Sequence, residues 1–254
     1  MRCGWRKEAR IPPPKRRSAA DQLRRWDTTP SLKAKPFFVG FGIHKPHLPW
    51  GVPGSFFKEY LPVDAIPLAK HKTFPKDSPP IAYHSCHWAS FPAISGGGMS
   101  CGLNEGGGPA NCTPGGRVID DDNARLARHG YMAAVSFADS LLGRVLAQAR
   151  SMQAWDNTLV LLTSDHGWQL GEHNEWCKTT LFELAVHIPF MIRDPRAPHG
   201  HTGERTMAFA ENVDIYRTLA DLAGLSSKVD ASVDGQSLAP LLQDPSLRNP
   251  AAKT

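Results

Sequence analysis

The apolar run "NTLVLL" at residues 157–162 passes directly into "TSDHGWQLGEHNEWCK", residues 163–178. A short run of aliphatic side chains bounded by polar residues reads as a buried strand. This one ends on Asp165 and His166, followed by Glu172, His173, Glu175 and Lys178 with two tryptophans between them. In open α/β sheets, ligands sit beyond the carboxyl ends of the strands. A core strand that ends this way predicts an α/β chain built around a crevice at that sheet edge.

Asp165 and His166 at such an edge could hold a hard or borderline divalent cation. Gly167 lets backbone pass close by, and Lys178 offers a point charge to an anion. A plainer reading stands beside this one. Asp-His after a strand is also a helix cap followed by a satisfied histidine. Glu172, His173 and Glu175 read as solvated or structural.

A second constellation, "HKPHLPW" (44–50), follows another compact apolar run, "KPFFVGFG" (35–42), expected to be a central strand. Pro46 and Pro49 stiffen the loop and forbid helix, so His44, Lys45 and His47 are held on a rigid turn. Two strand ends carrying His and Lys would meet at one anion-binding crevice if the strands are neighbours.

The rest of the chain fits that frame. "SAADQLRRW" (18–26) has a Ser N-cap and the spacing of a short helix. Residues 120–152 open on three acids and carry Ala133, Ala134, Phe137, Leu141, Leu142 and Val145 at helical spacing. "LAVHIPFMIR" (184–193) is expected to be a strand, and "ENVDIYRTLADLAGL" (211–225) a helix with a Gly stop. Residues 52–94 read as a long irregular loop. Residues 94–117 are glycine-rich and read as an insert, and residues 1–17 as a basic, proline-rich tail. One domain over 18–245 follows.

Composition excludes some classes. No apolar run approaches about 18 residues, so no membrane-spanning helix is expected. The formal charge of +5 is concentrated before residue 35, without the basic and aromatic interleaving of a nucleic-acid face. Five cysteines form no CxxC pair, so compartment cannot be read from them. "MRCGWRKEARIPPP" lacks the apolar core of a signal peptide.

Taken together, "FFVGFGIHKPHLPW", "YMAAVSFADSLLGRVL" and "NTLVLLTSDHGWQLGEHNEWCKTTLFELAVHIPFMI" resemble the sulfatase family of the alkaline-phosphatase-like superfamily. The iduronate-2-sulfatase branch carries both the HKPH loop and SDHGWxLGEHxEWxK. The resemblance implies a central mixed sheet flanked by helices and a calcium-dependent hydrolysis of sulfate esters on glycans. It makes Asp165 and His166 calcium ligands. His47 would contact the sulfate or protonate the leaving oxygen, and Lys178 would hold a sulfate oxygen. Relatives are lysosomal or secretory.

The family also uses an upstream Asp pair and a C/S-x-P/A-x-R motif whose first residue becomes formylglycine, the nucleophile. Neither pattern precedes the HKPH loop here. "CTPGGR" (112–117) has one residue too many before Arg117 and follows that loop, and "DDD" (120–122) opens a helix instead of closing a strand. No nucleophile is therefore assigned. The chain as written is expected to lack its first strands, to bind calcium weakly and to be inactive. The alternative is a non-catalytic sulfatase-like paralogue that binds sulfated ligands. A sister hydrolase of phosphate or phosphonate esters is disfavoured by the HKPH loop and Lys178.

Overall fold

The computed structural model describes residues 18–82, 119–197 and 203–248. The tail at 1–17, the glycine-rich stretch at 94–117 and the Cys112–Arg117 decoy lie outside these residues. In chain order the elements begin with α1 (Ala19–Thr28), α2 (Pro30–Lys33), α3 (Gly54–Lys58) and α4 (Asp121–Arg150). Strands β1 (Val160–Thr163), β2 (Gln169–Leu170) and β3 (Trp176–Cys177) follow. Helix α5 (Glu183–Val186), strand β4 (Phe190–Arg193) and helices α6 (Asp214–Leu222) and α7 (Ala239–Gln243) complete the series. The chain divides into two compact units, one of residues 1–153 with 168–186, the other of residues 154–167 with 187–254.

The first unit is organised by α4, 30 residues long. Asp120 caps it by accepting from the Asn123 N–H at 2.9 Å, so the acidic run is a helix start, as its composition implied. The buried stripe is made of small residues, including Ala124, Ala127, Gly130, Ala133 and Ala134. Small side chains let neighbouring segments approach the helix axis closely. His129, also buried, donates from Nε2 to the Phe57 carbonyl at 2.7 Å, holding α3 against α4. At the start of the unit, Ser18 and Asp21 form a reciprocal capping box on α1. The hairpin β2–β3 is antiparallel, with Gln169 opposite Cys177 and Leu170 opposite Trp176. Trp176 and Cys177 join Ala124 and Ala127 in the core, with Leu48, Trp50, Trp168 and Leu170 packed around them.

In the second unit, β1 and β4 pair antiparallel from Val160–Arg193 to Thr163–Phe190. Arg193 ties their ends to the preceding turn, donating to the carbonyls of Trp155 and Thr158 at 3.1 and 2.9 Å. Its guanidinium lies 4.0 Å from the Trp155 ring centroid. On α6, the buried Asp214 accepts from the Glu211 and Gln236 amides, and Thr218 Oγ1 accepts from the Leu238 amide. These bonds fold the segment before α7 back onto α6.

Besides the short helix α3 (Gly54–Lys58), which interrupts the stretch expected to be an irregular loop, two expectations need correction. Residues 35–42 form no ladder among the described residues, and Phe38 is 86% exposed. A strand exists only with a hydrogen-bonding partner, and no described strand supplies one. The run 184–193 is half helix: α5 takes its first residues, and the ladder begins only at Phe190. Pro189, with no N–H to donate, marks that start. Helices and strands both occur along the chain, and the described ladders are antiparallel pairs.

Candidate functional site

The HKPH loop lies in the first unit. Its turn is closed by the His47 amide donating to the His44 carbonyl at 3.0 Å. The Lys45 ammonium donates to the carbonyls of His47 and Pro49, so this cation fastens the loop. Partial burial lowers the Lys45 pKa. Nδ1 of His47 lies 2.7 Å from the Leu48 carbonyl. A carbonyl only accepts, so Nδ1 carries the hydrogen, and chemistry at this ring falls to Nε2.

Aromatic packing fixes the ring further. His47 meets Trp168 edge-on at 5.7 Å, and Trp168 stacks at 6.0 Å on Tyr131 of α4. Burial pushes the Tyr131 hydroxyl above its ordinary pKa. Trp50 donates from Nε1 to the Pro46 carbonyl at 2.8 Å and lies against Gly130. Trp50 and Trp168 thus both pack within the first unit.

The segment 168–180 is the other half of this arrangement. Arg128 on α4 donates from one nitrogen to the Leu170 carbonyl (2.9 Å) and to Glu172 (3.1 Å), while Glu172 also accepts from the Leu170 amide. Glu172 is structural, and Glu175 is fully buried rather than solvated. Lys178, half-buried, follows β3 and is flanked by Cys177 (φ 74°) and Thr179 (φ 76°). His173 and Asn174 also have positive φ, at 58° and 62°. Such angles are uncommon for residues other than glycine, and for a β-branched threonine they are true outliers. Each costs on the order of 1–3 kcal/mol and persists only where surrounding structure imposes it. Here the surrounding ties include a hydrogen bond of 2.8 Å from Thr180 Oγ1 to Gln169 Oε1, and Cys177 is disulfide-bonded.

Asp165 and His166 lie in the second unit, just past β1. The Asp165 side chain is 84% exposed, and its Oδ1 accepts from the His166 amide at 3.1 Å. His166 Nε2 is 3.4 Å from Asp165 Oδ2, and Nδ1 faces the Gly167 carbonyl at 2.8 Å. The carbonyl again places the hydrogen on Nδ1, which turns a lone-pair nitrogen toward a carboxylate oxygen. A proton or metal cation between them satisfies both, so the pair fits a contribution of two ligands to a cation. Among the described residues no cluster of three or more His, Cys, Asp or Glu is arranged for a metal.

The predicted residues are therefore distributed in pairs, His47 with Lys178 in one unit and Asp165 with His166 in the other. Sequence reasoning missed the Lys45 clamp, the Arg128–Glu172 pair and the strained backbone around Lys178. The first was suggested by nothing beyond a lysine between two histidines. The second joins residues 44 apart in the chain, and the third shows only in the backbone angles.

A family model described as Sulfatase matches residues 11–225. Iduronate 2-sulfatase of Mus musculus is 33% identical over 241 residues, covering 83% of this chain and 41% of the relative. The Homo sapiens protein of that name is 33% identical over 214 residues, covering 76% and 36% respectively. The chain thus spans about two fifths of the length of these curated relatives. Among solved structures, a phosphonate monoester hydrolase of Agrobacterium radiobacter superposes with TM-score 0.64 at 25% identity, over 90% of this chain and 42% of its own. The fold is accordingly alkaline-phosphatase-like, and, with the family model covering most of its length, the chain belongs to the sulfatase family.

Proposed function

We propose that the protein serves the hydrolysis of sulfate esters of glycans in the manner of iduronate 2-sulfatase, contributing His47, Lys178, Asp165 and His166, with the oxygen that attacks sulfur supplied from outside these four residues. The observation that carries this reading is the 5.7 Å contact between His47 and Trp168. It sets the HKPH loop against the segment that leads to Lys178, within one compact unit. Lys178 would neutralise a sulfate oxygen and the charge that develops on it. His47, anchored through Nδ1–H, would in its doubly protonated form deliver the Nε2 proton to the departing alkoxide and be left neutral. Asp165 and His166 would hold calcium, which when bound would supply positive charge to the reaction. The Cys177 disulfide supports an oxidising compartment.

The test is sulfate release from a 2-sulfated uronate disaccharide by the protein, with the monoester phenyl methylphosphonate as the competing substrate. Sulfate release should dominate, and His47→Ala should lower turnover by about 10²–10⁴, the usual worth of a positioned proton donor. Faster phosphonate cleavage, or turnover indifferent to His47, would sink the reading.

A further inference from the structure

The first unit contains a cavity of about 460 Å³ that His47 and Lys178 do not line. Its walls come from residues 67–71, from Arg128 on α4, and from the stretch between Gln169 and Leu184. That volume lies within the range of about 300–1,000 Å³ typical of small-molecule sites. Trp168 packs on His47, whereas the next residue, Gln169, lines this cavity, as expected where successive side chains take opposite sides of an extended segment.

Gln169 is fully buried. Its Oε1 accepts from Thr180, but its Nε2 is buried without a hydrogen-bond partner. A buried amide nitrogen left so is costly and rare, and its two N–H groups call for an acceptor. The other polar groups at the wall include the Lys70 ammonium and the remaining guanidinium N–H groups of Arg128, which only donate, and the rings of His71 and His173, each with one donor and one acceptor nitrogen when neutral. Glu172 has both oxygens occupied, by Arg128 and by the Leu170 amide. Glu183, the second carboxylate at the wall, is solvent-exposed. His173 lies parallel to His71 at 6.3 Å and stacks on Phe182 at 5.0 Å, forming a flat wall suited to a sugar-sized ring.

We propose that this cavity is a second binding site, separate from the ester-cleaving residues, for a sugar-sized ligand whose carboxylate or sulfate group accepts from Gln169. It does not depend on the protein being a hydrolase.

The side-chain amide of Gln169 in the full chain, followed by ¹⁵N NMR and identified by its loss in Gln169→Glu, reports on the site directly. The probes are glucuronate, inorganic sulfate and neutral glucose. Glucuronate, sulfate or both should shift the amide saturably; the stronger of the two identifies the group recognised. The shift should survive Lys178→Ala, which removes the cation proposed for ester cleavage. Lys70→Ala, at an exposed position, should weaken the affinity about tenfold, the worth of one charge-assisted hydrogen bond. No saturable shift with either anion, an equal shift with glucose, or unchanged affinity in Lys70→Ala would overturn the proposal. Loss of the shift in Lys178→Ala would also overturn it, because the anion would then belong to the ester-cleaving residues.

Discussion

Nε2 of His166 lies 3.4 Å from Oδ2 of Asp165, and the Gly167 carbonyl fixes the ring hydrogen on Nδ1. A proton or a metal cation between two electron-rich atoms at that distance satisfies both. Calcium should therefore bind this chain with a Kd at the weak end of protein sites, about 10⁻⁴–10⁻³ M, given two protein ligands. Asp165→Ala should abolish the heat of binding in titration calorimetry. Calcium binding that survives Asp165→Ala would place the ion elsewhere.

Gly130 bears on the HKPH loop through packing. A methyl group there would stand 2.6 Å from Cε3 of Trp50, whose indole holds the Pro46 carbonyl. Gly130→Ala should cost about 1–3 kcal/mol, as overpacking does, and lower any activity that depends on His47. Gly143→Ala in the same helix meets nothing within 4 Å and should stabilise by about 0.5–1 kcal/mol. Urea denaturation of both variants distinguishes them; equal stabilities would show that Trp50 simply moves aside.

In the second unit, Gly235 has φ +86°, and a Cβ there would lie 2.3 Å from the Val213 carbonyl oxygen. The obstacle is backbone, held by the Gln236 amide donating to the buried Asp214. Gly235→Ala should destabilise by about 2–4 kcal/mol, strain and clash together. A melting temperature within a degree of the parent protein would contradict this packing.

Acid should weaken the same unit through Asp194. Hydrogen bonds from the Arg196 guanidinium hold its carboxyl below the usual carboxylate range, and Arg196 also reaches the Leu222 carbonyl at the end of α6. A depressed carboxyl pKa stabilises the folded state above the unfolded value of about 4 and loses that contribution as pH falls through the folded value. Melting temperature measured from pH 5 to pH 2 should fall less steeply in Asp194→Asn than in the parent. Identical slopes would remove Asp194 from the acid response.

Much of this was legible in the sequence because it is local. Helix α4 and its Asp120 cap, the capped start of α1, the helix at α6 and the apolar strand β1 all follow from spacing and caps within contiguous residues. The roles expected of His47, Lys178, Asp165 and His166 likewise rest on side-chain type and motif. Tertiary structure alone decided the rest. Residues 35–42 have strand composition yet no ladder, because pairing needs a partner from another part of the chain. Glu172 became structural through Arg128, 44 residues away. The left-handed backbone at Cys177 and Thr179 arises where no glycine announces it, beside the Thr180–Gln169 hydrogen bond and the Cys177 disulfide. Periodicity and capping are properties of neighbours in sequence. Strain, burial and ladder pairing depend on which distant residues arrive, and no local pattern specifies that.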